Sequence, residues 1–221
     1  MVRLNSVNEK NFEELKSLAL ELGANDAFVI SASEIVLENR TVLKCRFGCI
    51  GWTSHVCPPM IPTVDEFRIM LQEYSWVMLV DWKTSVKLDA DISDIFTRLS
   101  FESGGSELDK KYAEQMKNII RDRKEIIQPG TLQLEKEAWK MGYTMAFGTF
   151  PGMCTMCASD DYTKVECAEK GVSLCKYYTA IRPCLMGLGV RLDKTLEKLG
   201  IDLPRFPVHG IPQQYTIVLL D

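Results

Sequence analysis

Trp76-Val77-Met78-Leu79-Val80-Asp81 is the clearest strand in the chain. It is a short apolar run rich in aromatic and β-branched side chains, closed by an acid. Its apolar part is far too short to cross a bilayer, so it belongs inside a folded sheet. Working backward, Thr63-Val64-Asp65-Glu66 has the form of a capping box. It opens a helix that carries Phe67, Met70, Leu71 and Tyr74 at helical spacing. Earlier still, Ser6-Val7-Asn8-Glu9 and Asn11-Phe12-Glu13-Glu14 are two helix starts, each with an acid three residues after the cap. The helix they begin presents Phe12, Leu15, Leu18, Ala19 and Leu22 on one face and stops at Gly23. Asp26-Ala27-Phe28-Val29-Ile30 then reads as a short buried strand, and residues 31–44 fit helix or strand.

Downstream, Glu102-Ser103-Gly104-Gly105-Ser106 has the composition of a linker. A charged helix over about 107–127 bears Tyr112, Met116, Ile119 and Ile120, with Pro129-Gly130 expected to break it. A second helix covers about 131–141, and Gly142-Tyr143-Thr144-Met145-Ala146-Phe147 is strand-like. A helix from about Asp193 to Leu199 stops at Gly200, a loop spaced by Pro204, Pro207 and Pro212 follows, and Tyr215 to Leu220 is a final strand. The expected fold is α/β or α+β, a mixed sheet flanked by helices, in one globular unit over 1–221. Two cysteine-rich loops, 45–62 and 151–186, interrupt it. The halves 1–100 and 107–221 share an order of helix, strand, cysteine loop, helix and strand. Duplication leaves such an order, and so does ordinary alternation of elements.

The chain has 221 residues, 46% of them hydrophobic and 25% charged, with a net charge of −4. That is enough apolar side chain for a real core and too much for a disordered protein. A pI near 5.4 argues against a nucleic-acid binder. Met1 to Ser6 leads into a polar helical pattern without the apolar stretch of a secretory signal, so the expected compartment is the cytoplasm.

Eight cysteines against two histidines are the outlying numbers. In a reducing compartment they are better explained as metal ligands or redox groups than as disulfides. They form two groups. The first is Cys45-x3-Cys49-x7-Cys57-Pro58-Pro59, and the second is Cys154-x2-Cys157-x9-Cys167-x7-Cys175, followed by Cys184. Thiolates suit Zn²⁺ or iron–sulfur clusters. Structural zinc sites usually use two short knuckles, whereas this chain has one C-x2-C and otherwise long, uneven spacings. Gly48, Gly51, Gly152, Ala158 and Gly171 would admit backbone N–H groups to cluster sulfides. Any lone thiol also fits plain core, Cys184 above all.

Cys154, Cys157, Cys167 and Cys175 suffice for one four-iron cluster. Cys45, Cys49 and Cys57 supply three ligands, leaving an iron open or closed by Cys184 or, less naturally, His55. His55 otherwise reads as an exposed loop residue and His209 as a surface residue. Arg182, before Pro183, fits a counter-charge or an ordinary helix flank. Trp52, Trp139, Tyr177 and Tyr178 are expected to shield the cysteine loops. G-x-G-x-x-G, P-loop, H-E-x-x-H and G-x-S-x-G patterns are all absent.

The set Cys45-x3-Cys49-x7-Cys57-Pro58-Pro59, Gly152-Met153-Cys154-x2-Cys157, Cys175 and Arg182-Pro183 resembles a family of cysteine-rich predicted metal-binding proteins common in anaerobic bacteria and archaea. The likeness runs from about residue 25 to 203. It implies metal binding, iron–sulfur in kind, and no particular reaction. Family members tend to place their third cysteine closer after the C-x2-C than Cys167, and to carry serine at the position of Cys184.

The sequence thus predicts an iron–sulfur protein with one [4Fe–4S] cluster on Cys154, Cys157, Cys167 and Cys175 and a second involving Cys45, Cys49 and Cys57. Low-potential electron transfer with a redox partner protein is the leading role, without nucleic-acid or membrane partners. The alternatives are an enzyme acting on a small-molecule substrate at an open iron, and a Zn²⁺-stabilised interaction module.

Overall fold

A computed structural model describes residues 6–49, 51, 52, 54–88, 107–162, 175–203 and 208–221. Trp76–Trp82 forms β2 in a four-stranded sheet, beside β1 (Ala24–Ser31) and β4 (Gln214–Leu220). The short β3 (Phe147–Gly148) lies at the far edge, giving the order β1-β2-β4-β3. Every pairing is antiparallel, with Val80 opposite Ala27 on one side and Thr216 on the other. The architecture is therefore mixed α/β in its antiparallel, α+β form.

The apolar run of β2 has no polar interruption because both faces of the sheet are covered. Met78, Val80 and Trp82 point to one core with Val218 and Leu220. That core is closed by Phe12, Leu15 and Ala19 of α1 (Ser6–Glu21) and by Leu134 and Ala138 of α5 (Gln128–Lys140). Val77 and Leu79 point the other way with Ile217 and Leu219. There Phe67 and Leu71 of α3 (Val64–Leu71), Leu196 of α6 (Leu192–Lys198) and a turn carrying Leu185, Leu188 and Val190 complete a second core. The period-two alternation of a strand thus feeds two apolar layers, the arrangement that produces a continuous hydrophobic run.

The Thr63 capping box is formed as expected. Thr63 Oγ1 accepts from Glu66 N–H at 3.3 Å, and Glu66 Oε2 accepts from Thr63 N–H at 2.7 Å. Residues 31–44, open in the sequence, resolve into a 3₁₀ turn (Ala32–Glu34) and the start of α2 (Thr41–Gly48).

Two expectations need correction. Pro129-Gly130 does not break the chain's long helical stretch. Helix α4 (Glu107–Asp122) passes through a π-helical turn (Arg123–Ile127) directly into α5, and Pro129, the second residue of α5, lies just after that turn with helical backbone on both sides. Gly130 is there for packing, since a Cβ on it would stand 2.4 Å from Trp82 Cη2. Residues 142–146 are turn rather than strand. Gly142 takes φ +102° and Tyr143 N–H returns to Ala138 O at 3.1 Å, a helix stop that leaves only Phe147 and Gly148 to pair with β4. The linker-like residues 102–106, together with Pro204 and Pro207, lie outside the described residues. No described helix is long and apolar enough to cross a membrane.

One strand residue is electrostatically misplaced. Asp81 is 6% exposed, and its Oδ1 makes no regular hydrogen bond among the described residues. Its Oδ2 accepts a long 3.4 Å bond from Asn25, and the Gln213 side chain lies close enough to favour the carboxylate weakly. Burial raises its pKa from 3.8 to about 6. A carboxyl raised in the folded state favours folding while protonated, and that contribution fades as pH rises from the unfolded value through the folded one. Asp81→Asn is therefore expected to stabilise the protein at pH 7, by up to about 2 kcal/mol after solvent screening. Urea unfolding from pH 4 to 7 should show the variant's advantage growing with pH; a constant difference would contradict it.

Candidate metal centre

The cysteine loops are laced together where β3 ends. Thr149 N–H extends the edge by donating to Ile217 O at 2.9 Å. Phe150 N–H then donates to Pro183 O at 2.9 Å, and Leu185 N–H donates back to Phe150 O at 3.0 Å. Cys184 N–H reaches across to Val56 O at 2.8 Å. Three stretches remote in sequence, around Val56, Phe150 and Cys184, therefore meet through their backbones. Their side chains follow: Val56, Cys57 and Cys184 form a small buried cluster, against which Cys154 and Ile181 pack.

Cys45 and Cys49 arrive from the end of α2. Cys45 is one of only two buried residues of that helix, and Cys49 follows its last turn. A Cβ on Gly51 would stand 3.3 Å from Cys57 Sγ, 3.6 Å from Cys49 Sγ and 3.0 Å from Met153 Cβ, so only glycine fits easily between the two sulfurs and the second loop. Its N–H also donates to Cys49 Sγ at 3.4 Å. Cys45, Cys57 and Cys184 are buried, Cys49 is exposed, and none of the seven described cysteines is in a disulfide. Cys184 thus packs against Cys57 of the first group and beside Cys154 of the second instead of standing as a lone core thiol.

The proton inventory of this group is uneven. The hydrogen bond with Cys184, reinforced by burial, pushes the Cys57 thiol far up. The same bond lowers Cys184, helped by the backbone N–H groups of Gly187 and Met186 and by the Arg123 charge. Burial, with the neighbouring Cys184 and Cys49, raises Cys45 to about 11. In the metal-free chain Cys184 is the preferred thiolate, and each further deprotonation is opposed by the anion already there. A cation bound among the sulfurs would remove that opposition. Among the described residues no three His, Cys, Asp or Glu side chains converge tightly enough to hold a single metal ion.

The second group is described at Cys154, Cys157 and Cys175, while Cys167 lies outside the described residues. Its loop is clamped by the π-helical turn, a contribution the sequence reading missed. Arg123 Nη2 donates to Pro151 O at 3.3 Å, and Lys124 Nζ donates to Ala158 O at 2.7 Å. Just beyond the turn, Gln128 donates to Met153 O at 3.4 Å and accepts from Thr155 N–H at 3.2 Å. Gly152 makes room for the Arg123 guanidinium, whose Nη1 would lie 2.8 Å from a Cβ there. Burial lowers the pKa of Arg123, while the neighbouring Cys184 and Cys49 sulfurs oppose that shift. A π-turn at a clustered site is a common functional device. The available signal was that Arg123 and Lys124 fall where the stripe of Ile119 and Ile120 should continue.

Other expected residues divide clearly. Arg182 is not a counter-charge for the cysteines: its guanidinium grips Glu135 through two bonds of 2.6 and 2.5 Å, and Glu135 also accepts from Gly148 N–H at 2.7 Å. His55 is buried rather than exposed, and neither ring nitrogen has a hydrogen-bond partner among the described residues. Neighbouring Ser54 Oγ makes no regular hydrogen bond, though it lies close enough to favour the Cys57 thiolate. Trp139 and Tyr178 are exposed and shield nothing; Trp139 instead ties α5 to Ala146 O. His209 is exposed, Gly48 faces open space, and Gly171 lies outside the described residues.

Among the described residues, Cys57, Cys154 and Cys184 meet beside the edge of an antiparallel sheet in a mixed α/β chain, which fits the class of cysteine-rich proteins. The family described as predicted metal-binding protein (DUF2284) matches residues 28–220, and the chain belongs to it. No curated protein and no solved structure matches the chain.

The Arg182–Glu135 pair, with side chains 12% and 4% exposed, ties the β3 edge to the second cysteine loop. Glu135→Ala would strand a buried guanidinium and is expected to cost about 3–5 kcal/mol. Equilibrium urea unfolding measures it, and a loss under about 1 kcal/mol would show the pair to be solvated.

Proposed function

We propose that this chain is an iron–sulfur protein that carries single electrons, with one centre held by Cys45, Cys49, Cys57 and Cys184. The observation that carries this reading is the meeting of Cys184 with Cys57 inside one buried cluster. It supports a complete set of four thiol ligands and so favours an electron carrier over a three-thiolate iron open to substrate.

The residues present fit such a group. Gly51 leaves the space between Cys49 and Cys57 uncrowded, and the N–H groups of Met186 and Gly187 with the charge of Arg123 favour anionic sulfur. Cys57 and Cys184 share a hydrogen bond, so their sulfurs are close enough for a single Zn²⁺ with Zn–S of about 2.3 Å. It is the long, uneven loop spacing, with one C-x2-C and no second knuckle, that favours iron–sulfur over zinc. A four-iron cage accepts wider spacing. When bound, it supplies reversible one-electron chemistry. The chain's own part is to exclude water from Cys45, Cys57 and Cys184 and to leave Cys49 at the surface. Cys154, Cys157, Cys167 and Cys175 remain as the ligand set of a second centre.

One observation favours a second reading, an enzyme acting on a small molecule at the first centre. A buried imidazole whose two nitrogens are unpartnered among the described residues, His55, stands two residues before Cys57. Ligand-dependent changes in the EPR spectrum of the reduced protein would support it.

Anaerobically purified protein is expected to contain about eight irons and eight sulfides per chain, or about four if a single centre forms. Cys184→Ala should remove about four irons while the far-ultraviolet circular dichroism stays unchanged. Stoichiometric zinc without sulfide would contradict the iron–sulfur reading, and undiminished iron in Cys184→Ala would return Cys184 to the core. Arg123→Gln removes a positive charge beside the sulfurs, so a redox titration should move one midpoint to more negative potential by roughly tens of millivolts. An unmoved midpoint would place Arg123 outside the centre's field.

A further inference from the structure

Only one sulfur of the first group reaches solvent, and the surface around it is unusual. Cys49 is exposed while Cys45, Cys57 and Cys184 are buried. Helix α2, which leads to Cys49, buries only Thr41 and Cys45. Val42 is half-buried, and Leu43 and Phe47 face outward, 61% and 73% exposed. Met60, three residues after Cys57, and Met186, two after Cys184, are exposed as well. Large apolar side chains at a ligand loop carry a desolvation cost that isolated surface residues do not explain.

The charges on this face have one sign. Lys44 and Arg46 project from α2, which contains no acid, and Arg46 lies over the Phe47 ring at 5.5 Å. Among the described residues neither has an acidic partner. The acids on adjoining elements are already engaged. Glu38 is gripped by Arg40, Arg191 and Lys194, Asp65 by Arg68 and Asn39, and Glu66 caps Thr63. An uncompensated basic rim around an apolar centre runs against the chain's net charge of −4.

We infer that the outer face of α2, centred on Phe47 and Cys49, is the docking surface for an acidic electron-carrier protein. This rests on the iron–sulfur reading above. An exposed Leu43 and Phe47 flanked by Lys44 and Arg46 are the complement of a carrier whose redox centre lies under a ring of carboxylates. A second copy of this chain fits poorly, because a twofold contact would set Lys44 and Arg46 against their own images. One electron passes from the carrier's reduced centre to this protein's oxidised centre, with no bond made or broken and no proton required.

The test uses full-length, anaerobically loaded protein and two reductants: a dithionite-reduced acidic bacterial ferredoxin, and reduced methyl viologen, which needs no docking surface. Stopped-flow spectroscopy follows bleaching of the cluster band. The ferredoxin rate is expected to fall about tenfold or more between roughly 50 and 500 mM NaCl, and by a similar factor in Lys44→Glu/Arg46→Glu at low salt. Phe47→Ser should slow the same reaction without changing its salt slope. The viologen rate and iron content should stay within about twofold in every variant. A ferredoxin rate indifferent to salt and to all three substitutions overturns the proposal, as does no transfer from ferredoxin where viologen reduces the protein. A dimer in sedimentation that dissociates on Phe47→Ser also overturns it, assigning the face to a second copy. A chain without iron or sulfide fails earlier, at the function itself, and takes the docking surface with it.

Discussion

The backbone hydrogen bond from Cys184 N–H to Val56 O, 2.8 Å long, is the contact on which the cysteine site depends. It joins a turn late in the chain to a loop early in it. The same turn answers to both core and site. Leu185 and Leu188 enter the apolar layer under β2 and β4, while the N–H groups of Met186 and Gly187 turn toward the Cys184 sulfur. The turn can lie this close only because positions 187 and 189 are glycine. A Cβ on Gly187 would stand 2.9 Å from Pro58 Cδ, and one on Gly189 2.4 Å from Val64 Cγ1. Core packing therefore sets where Cys184 lies relative to Cys57, and a well-packed interior does not slide by small amounts.

Around that contact the charges are arranged for anionic sulfur. Burial pushes the Cys45 thiol up, and the hydrogen bond to Cys184 together with burial pushes Cys57 up; the neighbouring sulfurs add to both shifts. What favours the anion is local: Gly51 N–H at Cys49, two backbone N–H groups at Cys184, and the guanidinium of Arg123. Arg123 is held by Gln214 Oε1 at 2.8 Å and by Pro151 O, neutral acceptors that leave its charge available to the sulfurs. The Arg182–Glu135 pair has the opposite design. Its charge is cancelled internally, and it secures the loop without contributing to the field at the cysteines.

Much of the frame was legible from local pattern. β2, β4, the capped α3 and the glycine-stopped α1 each announce themselves within a few residues, and a two-sided apolar strand needs helices on both faces. Features created at a distance were not legible. Cys184 looks like one more thiol after Cys175, and only the chain path places it beside Cys57. His55 reads as exposed because its immediate neighbours are polar, yet tertiary packing buries it. The π-turn at Arg123–Ile127 was concealed by ordinary helix-forming residues, and Pro129 looked like a break because the sequence alone does not show that it opens the next helical segment. The three-plus-four division of the cysteines was visible as spacing, but the packing of Cys184 against Cys57 and Cys154 was a matter of topology.

Anomalous diffraction at the iron K-edge from crystals grown anaerobically tests this account most directly, because it locates iron independently of activity. The expected result is an anomalous peak enclosed by the sulfurs of Cys45, Cys49, Cys57 and Cys184, with Cys184 ligated from the far end of the chain. Iron bound only at the second cysteine loop, with Cys184 still sharing a proton with Cys57, would contradict it.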